Sequence, residues 1–271
     1  MNPADDAELL RALRGIAERA GEAILEVYEA GFDVVQKEDR SPLTAADMAA
    51  HRLIVAALGE LTPAIPVLSE ESVAEHTDRR REWPRYWLVD PLDGTREFIK
   101  RNGEFSVNIA LVEAHRSVVG VVHAPVAGYT CTGARAGARR HERDGSSRPL
   151  AVRVPCPSPV RVAGSRSHGD PRLHAVLDAI GPHELVPLGS ALKFCLVAGG
   201  EADVYLRFGP TSEWDTAAGQ ALVEAAGGEV TDLALQPLRY NLRDTLINPD
   251  FIAVADTSAP WSRWLGQPGV A

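Results

Sequence analysis

The chain has 271 residues, 45% hydrophobic and 24% charged, an ordinary globular balance that supports a substantial core. Its formal charge of −9 argues against a surface built to coat nucleic acid and against a polybasic membrane tether. The length fits one large domain or two fused halves. The acidic, amphipathic start "MNPADDAELLRALR" reads as neither a signal peptide nor a membrane-spanning run, so a cytoplasmic location is expected.

Leu9, Leu13, Ile16, Ala20, Ile24 and Val27 recur at spacings of three and four, which predicts a first helix that Gly31 ends. A second helix is expected from "SPLTAADMAAHRLIVAAL", with Thr44 as N-cap and Asp47 in the capping-box position. "IPVL" (65–68) reads as a short buried strand leading to the acidic "SEE". "YWLVD" (86–90), "FSVNIALVE" (105–113) and "SVVGVVHAP" (117–125) read as strands, with a hairpin turn at "HRS". Residues 133–149, rich in Gly, Arg and Ser, are expected to form exposed loops and edge strands. "VPCPSP" (154–159) marks a boundary that gives halves of 1–155 and 156–271.

In the second half, "VRVAGSRSH" is read as a strand entering a polar loop and "DPRLHAVLDAI" as a helix. "ALKFCLVAGGEADVYL" is read as a helix followed by a strand. "SEWDTAAGQALVEAAGG" predicts a helix opened by Ser212 and closed by Gly227-Gly228. The first half mixes helices with antiparallel strands and the second alternates strand and helix, so the expected fold class is α+β joined to α/β. Cys131, Cys156 and Cys195 are odd in number and lack CxxC spacing, which reads as free thiols in a reducing compartment.

Four acids sit where strands end or helices begin: Glu70 after "IPVLS", Asp90 after "YWLV", Asp93 in the turn that follows, and Asp215 in "WDTAAG". Such positions collect ligands in layered folds. Several carboxylates in one partly buried site repel unless divalent cations bridge them. Oxygen-only ligation selects Mg²⁺, Mn²⁺ or Ca²⁺ over zinc. Pro91 fixes a bend that turns two acids toward one point, the Leu92 carbonyl can complete a coordination sphere, Gly94 admits a phosphate closely, and Thr95 offers a hydroxyl. Each acid has a plainer reading: a solvated turn residue, or for Asp47 and Asp215 a helix-start residue. Only their joint arrangement speaks for a metal site. Haloacid-dehalogenase phosphatases also carry "DGT" after a strand, but their two acids stand two apart and not three.

With these motifs in hand, the chain resembles the lithium-sensitive, magnesium-dependent phosphatases of the inositol monophosphatase superfamily. "VLSEES", "WLVDPLDGTREFIKRNGEFSVNIALVE" and "WDTAAGQALVEAAGG" match its three signature regions in order, and the likeness runs from about Leu9 to Phe251. The resemblance implies a layered α-β-α-β-α sandwich and two or three Mg²⁺ held by Glu70, Asp90, the Leu92 carbonyl, Asp93 and Asp215. It assigns Asp47 and Thr95 to a pair that orients and deprotonates the attacking water, with Glu70 assisting. The phosphate is expected on the amides of Gly94 and Thr95.

"EFIKRNGEFSVNIAL", "GSRSH" and "GSALKFCLVAGGEADVYLRFGP" resemble the bisphosphate nucleotidases of this superfamily more than its inositol phosphatases. That likeness places His168, Ser190, Lys193 and Arg207 around a nucleotide. It implies hydrolysis of 3'-phosphoadenosine 5'-phosphate (PAP) to AMP, with the sulfated nucleotide PAPS as a second substrate and a link to sulfate assimilation. A bisphosphate leaves one phosphate away from the metals, and a cation such as Lys193 or Arg207 is its natural partner. The rival on the same metals is an inositol monophosphatase or sugar bisphosphatase. The rival of another class is a fold-retaining binding module, which the complete acid set disfavours. The expected partner is a small nucleotide bisphosphate and no nucleic acid. The location implied is the cytoplasm or the cytoplasmic face of the inner membrane, without a transmembrane segment.

Overall fold

In a computed structural model, residues 3–30, 34–36, 42–76, 79–164 and 170–266 are described. Helix α1 (Pro3–Ala30) leads through a two-stranded hairpin, β1 (Val34–Gln36) and β2 (Pro42–Thr44), into α2 (Ala45–Leu61). Gly31 and the side chain of Thr44, both expected as helix caps, lie outside what is described. In α1 the predicted stripe buries Leu13, Ile16, Ala20 and Ile24, and in α2 Ala46, Ala50, Ile54 and Leu58 repeat every four residues.

Both helices cover one face of a seven-stranded sheet in the order β3-β4-β5-β6-β7-β8-β9. Its strands are β3 (Val67–Ser69), β4 (Arg85–Asp93), β5 (Ser106–Glu113), β6 (Arg116–Ala124), β7 (Tyr129–Ala134), β8 (Gly137–Glu142) and β9 (Ser147–Leu150). Between β3 and β4 the chain makes a short helix α3 (Val73–His76), and β4 is followed by α4 (Thr95–Ile99). Trp87 and Val89 pack under α1 and α2, while Tyr86 and Leu88 face the other way into a second core. With both faces covered, "YWLV" (86–89) is apolar throughout, not alternating.

That second core is closed by α6 (Leu192–Ala198) and α7 (Glu213–Ala225), which also meet the five-stranded sheet. This sheet has the order β11-β10-β12-β14-β13, from β10 (Val160–Gly164), β11 (His183–Pro187), β12 (Val204–Arg207), β13 (Glu229–Asp232) and β14 (Phe251–Val254). Helices α5 (Pro171–Ile180) and α8 (Trp261–Trp264) bury Val176, Leu177 and Trp261 against its outer face. Helices, sheet, helices, sheet and helices therefore stack as five layers, the expected sandwich.

The layers meet closely around α7. Gly120 of β6 and Gly133 of β7 are cross-strand partners. A β-carbon on Gly120 would stand 2.2 Å from the Ala218 carbonyl oxygen, and one on Gly133 would stand 2.7 Å from the Leu222 Cα. The glycine pair forms a groove into which the α7 backbone settles, and Ser117 Oγ donates to the Ala217 carbonyl at 2.7 Å beside it.

Several expectations need correction. Residues 133–149 hold the end of β7, then β8 and the edge strand β9, so the expected edge strand is present but Gly133 is buried in β7 and more of the segment is strand than loop. The hairpin after β5 turns at Ala114 and His115, both with positive φ (47° and 65°), so Arg116 and Ser117 already belong to β6. Strands β11, β13 and β14 add to the elements expected from the sequence pattern. No helix among the described residues is long and apolar enough to cross a membrane.

Candidate active site

The two aspartates of "DPLDGT" owe their common direction to an irregularity in β4. In the β4–β5 ladder Asp90 pairs with Asn108 and Asp93 with Ser106, so three steps on one strand meet two on the other. Side chains of a regular strand alternate faces, and residues three apart would point oppositely. The extra residue of the bulge restores the parity and brings both carboxylates to one side. Pro91 fits because a bulge tolerates a residue that cannot donate to the ladder. The Leu92 N–H donates to Asp90 Oδ1 at 3.1 Å, which tightens the bend.

Gly94 follows with φ 91°, the left-handed region open to glycine, and turns the chain into α4. Thr95 Oγ1 donates to the Leu92 carbonyl at 3.3 Å. Asp215 arrives from the other half of the chain, in the first turn of α7. One of its oxygens accepts the Ser212 N–H at 2.8 Å, so the helix-start reading holds alongside its place in the cluster.

One carboxylate oxygen from each of Asp90, Asp93 and Asp215 lies within 4.8 Å of the others. Oxygens sharing one octahedral magnesium stand roughly 3 to 4 Å apart, so the set needs little adjustment to close on an ion. Burial first, then repulsion from Glu70, Asp93, Asp215 and Asp47, raises the Asp90 carboxyl well above the usual range. Burial and the Asp93 charge push Asp215 up to about 8. Asp93 is raised by burial and relieved by Lys193 and the Ala191 amide. Buried carboxylates that resist ionising beside one another, with only oxygen donors in the set, fit a hard divalent cation.

Asp47, fully buried in the first turn of α2, and Glu70, just after β3, both act on Asp90 electrostatically, but neither belongs to the close set of three oxygens. Beside the cluster opens a cavity of about 190 Å³, lined among others by Gly94, Arg96, Ser190, Lys193, Arg207 and Asp215. The structure thus brings Asp90, Asp93, Gly94, Ser190, Lys193, Arg207 and Asp215 together, with Leu92 and Thr95 in the adjoining turn. His168 lies outside the described residues.

Two supporting residues escaped the sequence reading. Asn108 Nδ2 donates to Asp93 Oδ2 at 3.4 Å, and Ser106 Oγ donates to Asn108 Oδ1 at 3.0 Å. Their signal is visible as polar residues inside an otherwise apolar buried strand, "FSVNIAL".

A profile of the inositol monophosphatase family matches residues 5–260, and the chain belongs to that family, whose members are metal-dependent phosphatases. The chain is 50% identical over 238 residues to the 3'(2'),5'-bisphosphate nucleotidase CysQ of Escherichia coli strain K12, covering 87% of this chain and 95% of that protein. CysQ of Salmonella typhimurium is 49% identical over 245 residues, covering 90% and 98%. The crystal structure of CysQ from Bacteroides thetaiotaomicron superposes with a TM-score of 0.79 at 41% identity, covering 93% of this chain and 98% of that one.

Proposed function

We propose that the chain is a Mg²⁺-dependent 3'(2'),5'-bisphosphate nucleotidase that hydrolyses PAP to AMP and phosphate. The observation that carries this reading is the convergence of Asp90, Asp93 and Asp215 oxygens within 4.8 Å of one another beside a cation-lined pocket. Near-full-length likeness to nucleotidases named for this substrate class supports it.

In this reading Glu70, Asp90, the Leu92 carbonyl, Asp93 and Asp215 hold two or three Mg²⁺. Bound there, the ions supply charge neutralisation of the phosphate and a lowered pKa for water. The chain's own groups do the rest. Asp47 accepts the proton of the attacking water with Thr95 orienting it and Glu70 assisting, while the amides of Gly94 and Thr95 receive the phosphate oxygens. Water attacks the phosphorus in line, the ester bond breaks with its electron pair going to the ribose oxygen, that oxygen takes up a proton from solvent, and AMP and phosphate leave. Ser190 and Arg207 face the nucleotide, as His168 does by sequence likeness. Arg207 Nε is buried without a hydrogen-bond partner among the described residues, a donor available to an anionic ligand.

Phosphate release from PAP, inositol 1-phosphate and fructose 1,6-bisphosphate, each with and without Mg²⁺, tests the proposal. PAP should be the preferred substrate and Mg²⁺ obligatory. Preference for either of the other esters transfers the site to the rival activity, and release without any divalent ion refutes the mechanism.

A further inference from the structure

Residues 241–248 belong to no helix or sheet, yet they hold the start of α7. The Asn248 N–H donates to the Thr211 carbonyl at 2.8 Å, and its Nδ2 donates to the Ser212 carbonyl at 2.7 Å and to Thr216 Oγ1 at 3.0 Å. The Glu213 N–H donates in turn to the Leu246 carbonyl at 2.8 Å, and the buried Glu213 Oε2 accepts the Asn241 N–H at 2.8 Å. These contacts grip residues 211–216, on either side of Asp215.

An irregular segment has no ladder to satisfy its own acceptors, so other groups must fix it. Arg80 does so, reaching across from the connection between β3 and β4, and it is 2% exposed. Its Nη1 donates to Asn241 Oδ1 at 2.5 Å, and its Nη2 donates to the Arg243 carbonyl at 3.0 Å and to the Asp244 carbonyl. Asn241 Nδ2 returns a bond to the Arg80 carbonyl at 2.5 Å. A planar guanidinium serves these three acceptors in fixed directions, which a flexible ammonium does not. Asn241 is held at φ 59°, so the pairing also secures a left-handed residue. The walls of the cavity beside the acidic cluster include neither Arg80 nor Asn241, so neither side chain meets a ligand bound there.

We infer that Arg80 is a positioning residue of the metal site: through residues 241–248 it fixes the first turn of α7, and with it Asp215. The inference rests on the reading of Asp215 as a metal ligand. A path of buried hydrogen bonds runs from Arg80 through Asn241 to Glu213, and from Asn248 to Ser212, whose N–H is bound by Asp215 itself. The latch thus ties the first half of the chain to the one member of the acidic trio that the second half supplies.

Calorimetric titration of Mg²⁺ into the substrate-free chain tests this, with thermal unfolding on the same samples and kcat and KM for PAP measured at saturating Mg²⁺. Arg80→Met is expected to weaken Mg²⁺ binding about tenfold, the loss typical when the support behind a metal ligand is removed. KM for PAP should stay unchanged. Arg80→Lys keeps the charge without the fork and should show a smaller loss of the same kind. Should Arg80→Met not fold, Asn241→Gly severs the pairing with no change of charge, at a φ that glycine adopts freely, and should weaken Mg²⁺ binding likewise. Folded variants with lowered Tm but wild-type Mg²⁺ binding would assign Arg80 to stability alone and overturn the inference, as would a raised KM for PAP with Mg²⁺ binding intact. A wild type that binds no Mg²⁺ overturns the reading of Asp215 as a ligand and this inference with it.

Discussion

Gly120 lies in the sheet behind the acidic cluster, yet its replacement by alanine should disable the site. The new β-carbon would fall 2.2 Å from the Ala218 carbonyl oxygen, where ordinary contact needs roughly 3.5 Å. Helix α7 must therefore back away from the sheet by about 1 Å. Ala218 is one turn beyond Asp215, so the displacement reaches the carboxylate that α7 contributes. Magnesium demands oxygens at about 2.0 to 2.1 Å in near-ideal geometry and tolerates little of such a shift. A misplacement of this size costs about a hundredfold in rate, whereas the overpacking itself costs about 1–3 kcal/mol of stability. The assay is kcat/KM for PAP as a function of Mg²⁺ concentration, with thermal unfolding on the same samples. The expected result is a folded protein with Tm lowered by several degrees, a higher half-saturating Mg²⁺ concentration and a fall in kcat/KM of about a hundredfold. A folded Gly120→Ala protein with wild-type Mg²⁺ dependence would refute the claim that the glycine groove sets the place of Asp215.

Asp93→Asn should lower Mg²⁺-dependent turnover by at least about a hundredfold while raising the stability of the metal-free protein by about 1 kcal/mol, since one buried like charge is removed. Saturating Mg²⁺ should raise the wild-type Tm: at a hundred times its Kd a ligand adds about 2.7 kcal/mol, or roughly 5–10 °C, and a chelator should reverse the gain. Burial pushes the imidazole of His123, 7% exposed, down to about 4. The unfolded chain takes up the proton near 6.5 and the folded one does not, so stability is full above pH 6.5 and falls toward pH 4, by about 3 kcal/mol. Urea midpoints of wild type and His123→Gln across that range should diverge in slope; parallel curves would contradict the assignment. A β-carbon added at Gly59 in α2 would meet nothing within 4 Å, so Gly59→Ala should stabilise by about 0.5–1 kcal/mol without altering activity.

The acidic residues and most helices and strands could be read from the sequence because each sits in a strong local pattern: uninterrupted apolar strands, helical stripes, and turn residues at fixed offsets; the layer order was what the family resemblance implied. What joins them could not. "DPLDGT" shows two acids three apart, but only the β4–β5 register reveals that a bulge reverses the parity and faces them together. Gly120 in "SVVGVVHAP" shows its role only once its partner Gly133 and the α7 backbone come against it. Strands β13 and β14, four residues each and separated by an irregular segment, are too short for alternation to declare itself.

The central claim is that Asp90, Asp93 and Asp215 stay together because divalent cations lie among them. Anomalous scattering from a crystal of the protein soaked in Mn²⁺ tests it most directly. The result expected is a peak within about 2.5 Å of oxygens from all three residues. A crystal that takes up the ion elsewhere, with these three carboxylates bridged by nothing but water, would contradict the account.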